Sequence, residues 1–307
     1  MKRILTATDL SARSDRAFER ALELTEKTGA ELHVLYVIDE DLPSRVSTDL
    51  SHAARTDINK RLTAKGKVDS AVVHVEMGQP WKVVVEKARD LKADLIIVGT
   101  HKNRGIAELF AGTTLERVAK YSETPVLLVL DPVTGPYRKA IVGVDFSPMA
   151  QRTTEIAARV APVADLTLVH AYHISFKALT MPTDATGDIP KKHRDNIERP
   201  LTAEMARFTE LLDLDERRTT LRLREGGATS ALEQEVMRSR ADLLALGVHA
   251  RSTLLAGILG STATDAMSSP PCDVLLVPAA SRRAVAETSK EPPSASEHGR
   301  HEVRPAQ

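Results

Sequence analysis

Short apolar segments alternate with amphipathic segments along the chain. The first apolar segment, Arg3–Thr8, predicts a strand, and the next stretch predicts a helix from about Ser14 to Thr28, with Gly29 ending it. The same pattern predicts further strands at Glu31–Val37, Ala71–Met77, Asp94–Val98 and Val126–Leu130, and helices at Pro80–Leu91 and near Thr113–Tyr121. Because short, continuously apolar strands alternating with helices are typical of a sheet covered on both faces, we expect an α/β fold with a doubly wound parallel sheet.

The pattern occurs twice. Three segments of the first half have partners, in the same order, in the second half: Ile4–Ser11 with Ile141–Pro148, Ala93–Gly99 with Ala241–Gly247, and Pro125–Val129 with Asp273–Val277. This predicts two tandem domains over residues 1–131 and 138–279, joined by a linker at Asp131–Arg138. About twelve extra residues in the second copy are expected in the polar, irregular stretch Thr180–Arg199. Residues 280–307 are polar and are predicted to be a disordered tail.

Composition narrows the class of protein. Lys plus Arg equals 42 and Asp plus Glu equals 42, so the net charge gives no reason to expect nucleic acid or an anionic membrane as partner. One cysteine, Cys272, excludes an internal disulfide and suits a reducing cytosol. No signal-peptide pattern precedes the first strand, and the apolar runs are too short to span a bilayer. We therefore expect a cytoplasmic protein.

Candidate ligand-binding residues follow the predicted strands. Asp9 and Asp145 end the first strand of each copy, and Gly99 and Gly247 end the fourth. In a doubly wound sheet, ligands bind beyond the carboxyl ends of the strands. The segments Gly112-Thr113-Thr114 and Gly260-Ser261-Thr262 open the next helices, and a helix N-terminus suits a phosphate group. In the alternative reading, Thr113, Ser261 and the two aspartates cap helices.

These motifs resemble the universal stress protein family. The resemblance rests on the loop Gly247–Ser252 followed by Gly260-Ser261-Thr262, on Asp9-Leu10-Ser11 and Asp145-Phe146-Ser147, and on the closing segment Cys272–Pro278. It covers both copies and nearly the whole chain apart from the tail. It implies a Rossmann-like, nucleotide-binding topology and a tandem member of the family.

The family pattern is Gly, two residues, Gly, nine residues, then Gly with Ser or Thr, and the resemblance implies that this loop holds ATP. Both copies depart from it, because Lys102 and Ala250 replace the second glycine. A lysine side chain would extend into the phosphate site, whereas alanine adds one methyl group. We therefore hypothesise that the C-terminal half binds ATP and that the N-terminal half binds it weakly or not at all.

The resemblance also implies individual roles. First-strand residues contact the nucleotide, second-strand residues line the adenine pocket, and loop residues hold the phosphates. The first-strand residues are Thr8, Asp9, Val144 and Asp145. The second-strand residues are Val37 and Ala171. The loop residues are Gly99, Gly112, Thr113, Thr114, Gly247, Ala250, Gly260, Ser261 and Thr262. Asp9 and Asp145 are candidates to hold Mg²⁺. In the loop, Arg251 is a candidate phosphate contact, and His249 is expected to give a hydrogen bond or packing rather than catalysis.

Two functions from different classes remain open at this point. The leading one is a cytoplasmic stress-response protein that binds ATP and acts as a regulatory module, with hydrolysis slow or absent. The alternative is an interaction or chaperone-like protein that binds no nucleotide, and an adenylate-forming enzyme is a third reading that lacks an evident substrate domain. The apolar closing strands, Val126–Leu130 and Val274–Pro278, are expected to pair with each other inside the chain, and a homodimer of chains stays open.

Overall fold

A computed structural model describes residues 1–67, 70–99, 114–174, 191–248 and 260–279. These residues form ten strands and eight α-helices. The strands are β1 (Arg3–Thr8), β2 (Glu31–Ile38), β3 (Ala71–Met77), β4 (Leu95–Gly99), β5 (Val126–Val129), β6 (Lys139–Gly143), β7 (Asp165–Tyr172), β8 (Thr219–Glu225), β9 (Leu243–Val248) and β10 (Asp273–Pro278). The helices are α1 (Ala12–Thr28), α2 (Ser44–Ala64), α3 (Pro80–Asp90), α4 (Thr114–Tyr121), α5 (Pro148–Val160), α6 (Lys191–Glu210), α7 (Ala228–Ser239) and α8 (Ser261–Ser268).

All ten strands belong to one sheet, in the order β3-β2-β1-β4-β5-β10-β9-β6-β7-β8. Each half of the chain contributes the same doubly wound order, and the strand pairs within each half are parallel. The pair that joins the halves, β5 with β10, is antiparallel. The predicted fold, two tandem α/β domains with parallel sheets, is confirmed, and the predicted pairing of the closing strands is present in the structure.

Helix α1 illustrates how the local sequence sets an element. Ser11 is its N-cap, and its side chain accepts a hydrogen bond from the Ser14 backbone N–H. Phe18 and Leu24 lie on its buried face. Gly29 ends the helix with a left-handed φ of 66°, and its N–H donates to the Thr25 carbonyl. The helix begins two residues before the predicted start because the cap lies before the first apolar position.

Helices cover both faces of the sheet and bury two apolar cores. Helices α1, α2, α5 and α6 pack on one face, and α3, α4, α7 and α8 pack on the other. Each core runs through both halves of the chain. Leu127 and Leu275 lie in the first core, and Leu128 and Val274 lie in the second. Where β5 pairs with β10, the junction between the halves is therefore part of the apolar interior.

The seam between the halves, formed by β5 and β10, has an approximate two-fold axis. Leu127 is paired with Leu275, and these two residues occupy equivalent positions in the repeat. Equivalent helices lie on the same face, so the axis is perpendicular to the sheet. Every feature near one end of the seam consequently has a counterpart near the other end.

The stretch that carries the extra residues of the second copy differs in part from the prediction. Helix α6 begins at Lys191 and contains Pro200, so residues 191–199 are helical where the sequence predicts an irregular segment. The rest of that stretch, residues 180–190, lies outside the described residues, as does the predicted tail, residues 280–307. Within the described ranges, no helix has the length and apolar character needed to cross a membrane.

Candidate functional site

The strand order creates a crevice at the same place in each half. In the first half, β1 and β4 are neighbouring parallel strands, and the strand order reverses between them. In the second half, β6 and β9 are neighbours in the same way. The carboxyl ends of these strands carry Thr8 and Gly99 in the first half and Gly143 and Val248 in the second. Such switch points are where open α/β sheets bind ligands.

An Asp-x-Ser turn follows the central strand of each half. The Ser11 N–H donates to Asp9 Oδ1 over 3.0 Å, and the Ser147 N–H donates to Asp145 Oδ1 over 3.2 Å. In the second half the Ser147 hydroxyl also donates to Asp145 Oδ1, over 2.5 Å. Each aspartate therefore closes a tight turn with its own backbone and keeps its exposed carboxylate at the edge of the sheet.

The serine of each turn is the cap of the following helix. Ser11 Oγ accepts from the Ser14 N–H, and Ser147 Oγ accepts from the Ala150 N–H over 3.2 Å. The alternative reading, in which Asp9 and Asp145 cap these helices, is wrong. The serine, and not the aspartate, satisfies the helix end in both halves.

The middle residue of each turn has an unusual backbone. Leu10 has φ of 62° and Phe146 has φ of 61°, in the left-handed region that costs a non-glycine residue about 1–2 kcal/mol. The Leu10 N–H donates to Thr8 Oγ1 over 3.0 Å, and the Phe146 ring stacks on His170 with ring centres 4.3 Å apart. Sequence reasoning missed both residues, although the repeated Asp-x-Ser motif marks them. Strain that recurs at the same place in both copies points to a selected turn geometry.

Electrostatics favour the ionised form of Asp9. Burial, the largest single influence, raises the pKa of its carboxyl group, but hydrogen bonds from Ser11 and Ser14 together outweigh it and hold the pKa below the usual value. The Asp9 carboxylate is thus charged at neutral pH. A charged oxygen at this edge can accept a hydroxyl or amino proton from a ligand, or face a hydrated cation.

Gly99, the last residue of β4, and Gly247, the last but one of β9, have a packing role. A Cβ at Gly99 would lie 2.5 Å from the backbone oxygen of Arg13 at the start of α1. A Cβ at Gly247 would lie 2.7 Å from Met149 Cγ on α5. The close approach of strand and helix therefore explains both glycines without a ligand, which the sequence pattern could not reveal.

The N-terminus of α8 is open as far as the described residues go. Gly260 is its N-cap, and no described side chain caps it. An added Cβ at Gly260 would meet no atom of the described residues within 4 Å. Ser261 is the first residue of the helix and is exposed, so the reading in which Ser261 caps this helix is wrong. The arrangement presents first-turn N–H groups beside a glycine and two hydroxyl side chains, Ser261 and Thr262, which is a suitable setting for a phosphate.

The structure places the remaining predicted residues as follows. Val37 and Ala171 hold equivalent positions near the ends of β2 and β7, and both are partly buried. Thr8 bonds to Ser14 through its hydroxyl group (2.9 Å), whereas its counterpart Val144 is buried. Thr114 begins α4. The predicted loop residues Gly112, Thr113, His249, Ala250 and Arg251 lie outside the described residues, as does Lys102.

Metal-binding side chains do not gather at either crevice in the part of the chain that the structure describes, where no group of three or more His, Cys, Asp or Glu side chains could hold a metal ion. A divalent cation at Asp9 or Asp145 would therefore need ligands from a bound molecule or from water.

Fold and site together define a class: a tandem, doubly wound α/β protein with an equivalent crevice at the switch point of each half. The model of the universal stress protein family matches residues 1–129 and residues 136–278. The chain belongs to the universal stress protein family and contains two copies of its domain.

Relatives support this assignment. The chain is 31% identical to a universal stress protein of Methanocaldococcus jannaschii over 141 residues, which are 43% of this chain and 83% of that protein. It is 20% identical to universal stress protein E of Photorhabdus laumondii over 298 residues, 89% of this chain and 94% of that one. The crystal structure of a universal stress protein from Archaeoglobus fulgidus matches with a TM-score of 0.65 and 20% identity, over 89% of this chain and 97% of that chain. That structural likeness shows the shared fold.

Proposed function

We propose that the protein is an ATP-binding regulatory module of the stress response, acting in the cytoplasm, and that the second half holds the nucleotide. The observation that carries the proposal is the N-terminus of α8, where Gly260 is the N-cap and no described side chain caps the helix. This helix lies in the half whose loop departs from the family pattern by a single methyl group, at Ala250. The phosphates of ATP would accept hydrogen bonds from the first-turn N–H groups of α8 and from the hydroxyl groups of Ser261 and Thr262.

The other contacts follow from the strand ends. Val144 and Asp145 directly follow β6 and Ala171 lies near the end of β7, where the base and ribose would sit. Asp145 is a candidate to face Mg²⁺ bound to the phosphates. The equivalent first-half residues Thr8, Asp9, Val37, Gly99 and Thr114 would form a weaker site, because Lys102 stands where the pattern has glycine.

Binding rather than catalysis is the proposed role. The open helix end can hold phosphate, whereas the Ser147 hydroxyl beside the Asp145 carboxylate is engaged in the turn and in the cap of α5. We expect ATP hydrolysis to be slow or absent, so that the nucleotide acts as a signal that changes which partners the protein binds.

Calorimetric titration of ATP into the intact protein tests the proposal through Gly260→Val. Gly260 has φ of −63° and ψ of 150°, which valine adopts freely, and an added Cβ meets no atom of the described residues within 4 Å. Valine should therefore leave the fold intact but block close approach of the phosphates to the helix end. We expect ATP affinity to fall about tenfold or more, since contacts to a charged group contribute about 1.5–3 kcal/mol.

Gly227→Val is the matched control. Gly227 is the N-cap of α7 with nearly the same backbone, φ of −68° and ψ of 142°, and with equally open surroundings. This variant should bind ATP like the unsubstituted protein. Unchanged ATP affinity in Gly260→Val would move the site elsewhere, and no ATP binding by the unsubstituted protein would favour the nucleotide-independent interaction function.

A further inference from the structure

The two ends of the seam between β5 and β10 are related by the approximate two-fold axis, yet they are filled differently. At the first end, Asp273, Tyr137 and Arg20 occupy the space between the halves. At the second end their counterparts in the repeat are Pro125, Met1 and Ile156. An ion-pairing and aromatic group is thus replaced by three apolar residues.

The first end is filled by a buried polar network. Asp273 Oδ1 accepts from the Leu130 N–H over 2.8 Å, and Asp273 Oδ2 accepts from the Tyr137 hydroxyl over 2.6 Å. The Arg20 guanidinium lies 3.9 Å from the centre of the Tyr137 ring and donates to the Gly135 carbonyl over 2.8 Å. All three side chains are buried at this end.

The second end contains a cavity of about 280 Å³. Its apolar wall is formed by Met1, Pro125 and Ile156, with Ala93 and Thr124 beside them. Pockets that bind small-molecule ligands have volumes of about 300–1,000 Å³. At about 280 Å³ the cavity lies just below that range, so it suits a molecule smaller than a nucleotide.

Two arginines of α5 give the cavity its cationic side. Arg152 and Arg159 line it from the same face of the helix, two turns apart, with Ile156 between them. The Arg152 Nε atom is buried and has no hydrogen-bond partner among the described residues. Burial lowers the pKa of the Arg152 guanidinium, and nearby Arg159 lowers it further, against the opposing effect of Glu155. A buried N–H without an acceptor is costly, and an anion would satisfy it.

Two acidic residues also line the cavity, and they restrict where an anion can lie. The Asp94 carboxylate accepts hydrogen bonds from the backbone N–H groups of Lys2 and Arg3, so its charge is directed to the start of β1. Glu123 is exposed at the rim. The position left for an anionic group is therefore on the α5 side, beside Arg152.

We propose that this cavity binds a small organic anion. Its carboxylate or phosphate group would accept from the guanidinium of Arg152, which presents a planar pair of donors to such groups, and its short apolar body would lie against Met1, Pro125 and Ile156. The site is separate from the crevices at the switch points. It lies at the junction of the two halves, so an occupant would contact both.

NMR titration of the intact protein tests this site through the Arg152 Nε–H resonance. The probes are butyrate, butyl phosphate and, as a cation of the same length, butylammonium. We expect a saturable shift of this resonance with butyrate or butyl phosphate. The anion that binds more tightly identifies which anionic group, carboxylate or phosphate, the site prefers. No shift with either anion, or an equal response to butylammonium, would overturn the proposal.

Two variants assign the response to the cavity. Arg152→Gln removes the cation and should weaken anion affinity about tenfold or more, followed through the backbone resonance of Thr124. Ile156→Phe fills the apolar part and should abolish binding of the butyl group. Arg238→Gln, which removes an exposed arginine of α7, is the control and should leave the affinity unchanged. Anion binding that survives both cavity variants would contradict the assignment. ATP should not compete with the anion, so loss of ATP binding and loss of anion binding are separate outcomes.

Discussion

Gly99 and Gly247 hold equivalent positions, but different atoms surround them. At Gly99 an added Cβ would meet the backbone of Arg13, which cannot move without shifting α1. At Gly247 it would meet the flexible end of Met149, which can turn away. The equivalent glycines therefore pack against a rigid backbone in the first half and against an adjustable side chain in the second.

This difference predicts unequal costs of substitution. Gly99→Ala should lower the free energy of unfolding by about 1–3 kcal/mol, as overpacking of a tight contact does, and Gly247→Ala should lower it by less. Urea denaturation of both variants measures the two values. Equal costs, or a larger cost at Gly247, would mean that the strand–helix distances in the two halves are not as described.

At the residue scale, the sequence predicts which positions lie at the edge of the sheet but not why each residue is there. Asp9 and Asp145 are predicted as ligand contacts or caps, and the structure shows that each closes a turn while a serine caps the helix. The left-handed backbone of Leu10 and Phe146 has no signal in residue type, because it is stabilised by tertiary packing. Such strain becomes visible only once both copies are compared in three dimensions.

Among the elements, the pair of strands β2 and β3 carries an unusual polar contact. His33 Nδ1 and His74 Nε2 lie 3.1 Å apart, and His33 is buried. One ring N–H suffices for this hydrogen bond, and a positive charge on one histidine would be repelled by a positive charge on the other. Burial lowers the pKa of His74, and the nearby Lys87 and His33 lower it further, against a smaller opposing effect of Glu76.

This contact predicts a pH dependence of stability. Because the pKa of His74 is lower in the folded protein than its usual value of 6.5, the unfolded chain binds the proton more tightly. The contribution to stability is complete above about pH 6.5 and is lost as the pH falls through the lower folded pKa. Urea denaturation across this range should show a decline toward acid pH that is smaller in His74→Gln.

His52→Gln provides the control for this series. His52 is an exposed residue of α2, and its replacement should leave the pH dependence as it is in the unsubstituted protein. If His52→Gln and His74→Gln flatten the curve equally, the histidine pair is not its source.

Elements with strong apolar patterns are predicted well, and those with weak patterns are not. The predicted limits of β1 and β3 agree with the structure, and those of β4 differ by one residue at each end. Helix α6 shows the opposite case. It contains Pro200 and follows a polar stretch, so its first residues were predicted as irregular, whereas packing of Met205 and Phe208 against the sheet stabilises it.

For the molecule as a whole, the seam makes the two halves interdependent. Asp273 is buried, and burial raises the pKa of its carboxyl group although hydrogen bonds from Tyr137 and Leu130 and the charge of Arg20 act in the other direction. Burial raises the pKa of the Tyr137 hydroxyl well above its usual value. We propose residues 1–131 and 138–279 as two domains that unfold together, because both apolar cores continue across their junction.

Removal of the central carboxylate tests this dependence. Asp273→Ala would leave the Tyr137 hydroxyl and the Leu130 N–H without their acceptor and would remove the carboxylate that lies 3.9 Å from Arg20 Nε. We expect the free energy of unfolding to fall by about 3–5 kcal/mol, measured by urea denaturation followed by circular dichroism.

Asp242→Ala is the matched control, because Asp242 also accepts from two backbone N–H groups, those of Arg138 and Lys139, but near the surface. Its loss should cost about 1 kcal/mol. Equal costs for the two variants, or two separate unfolding transitions in the unsubstituted protein, would contradict a shared interior.

The number of ATP molecules bound per chain tests the proposed function most directly. Two domains of one family in one chain provide two crevices, and the departures at Lys102 and Ala250 distinguish them. Native mass spectrometry of the intact protein with ATP should show one nucleotide per chain, lost in Gly260→Val and retained in Gly227→Val. No bound nucleotide, or one that survives Gly260→Val, would contradict an ATP site in the second half, and two nucleotides per chain would contradict weaker binding by the first half.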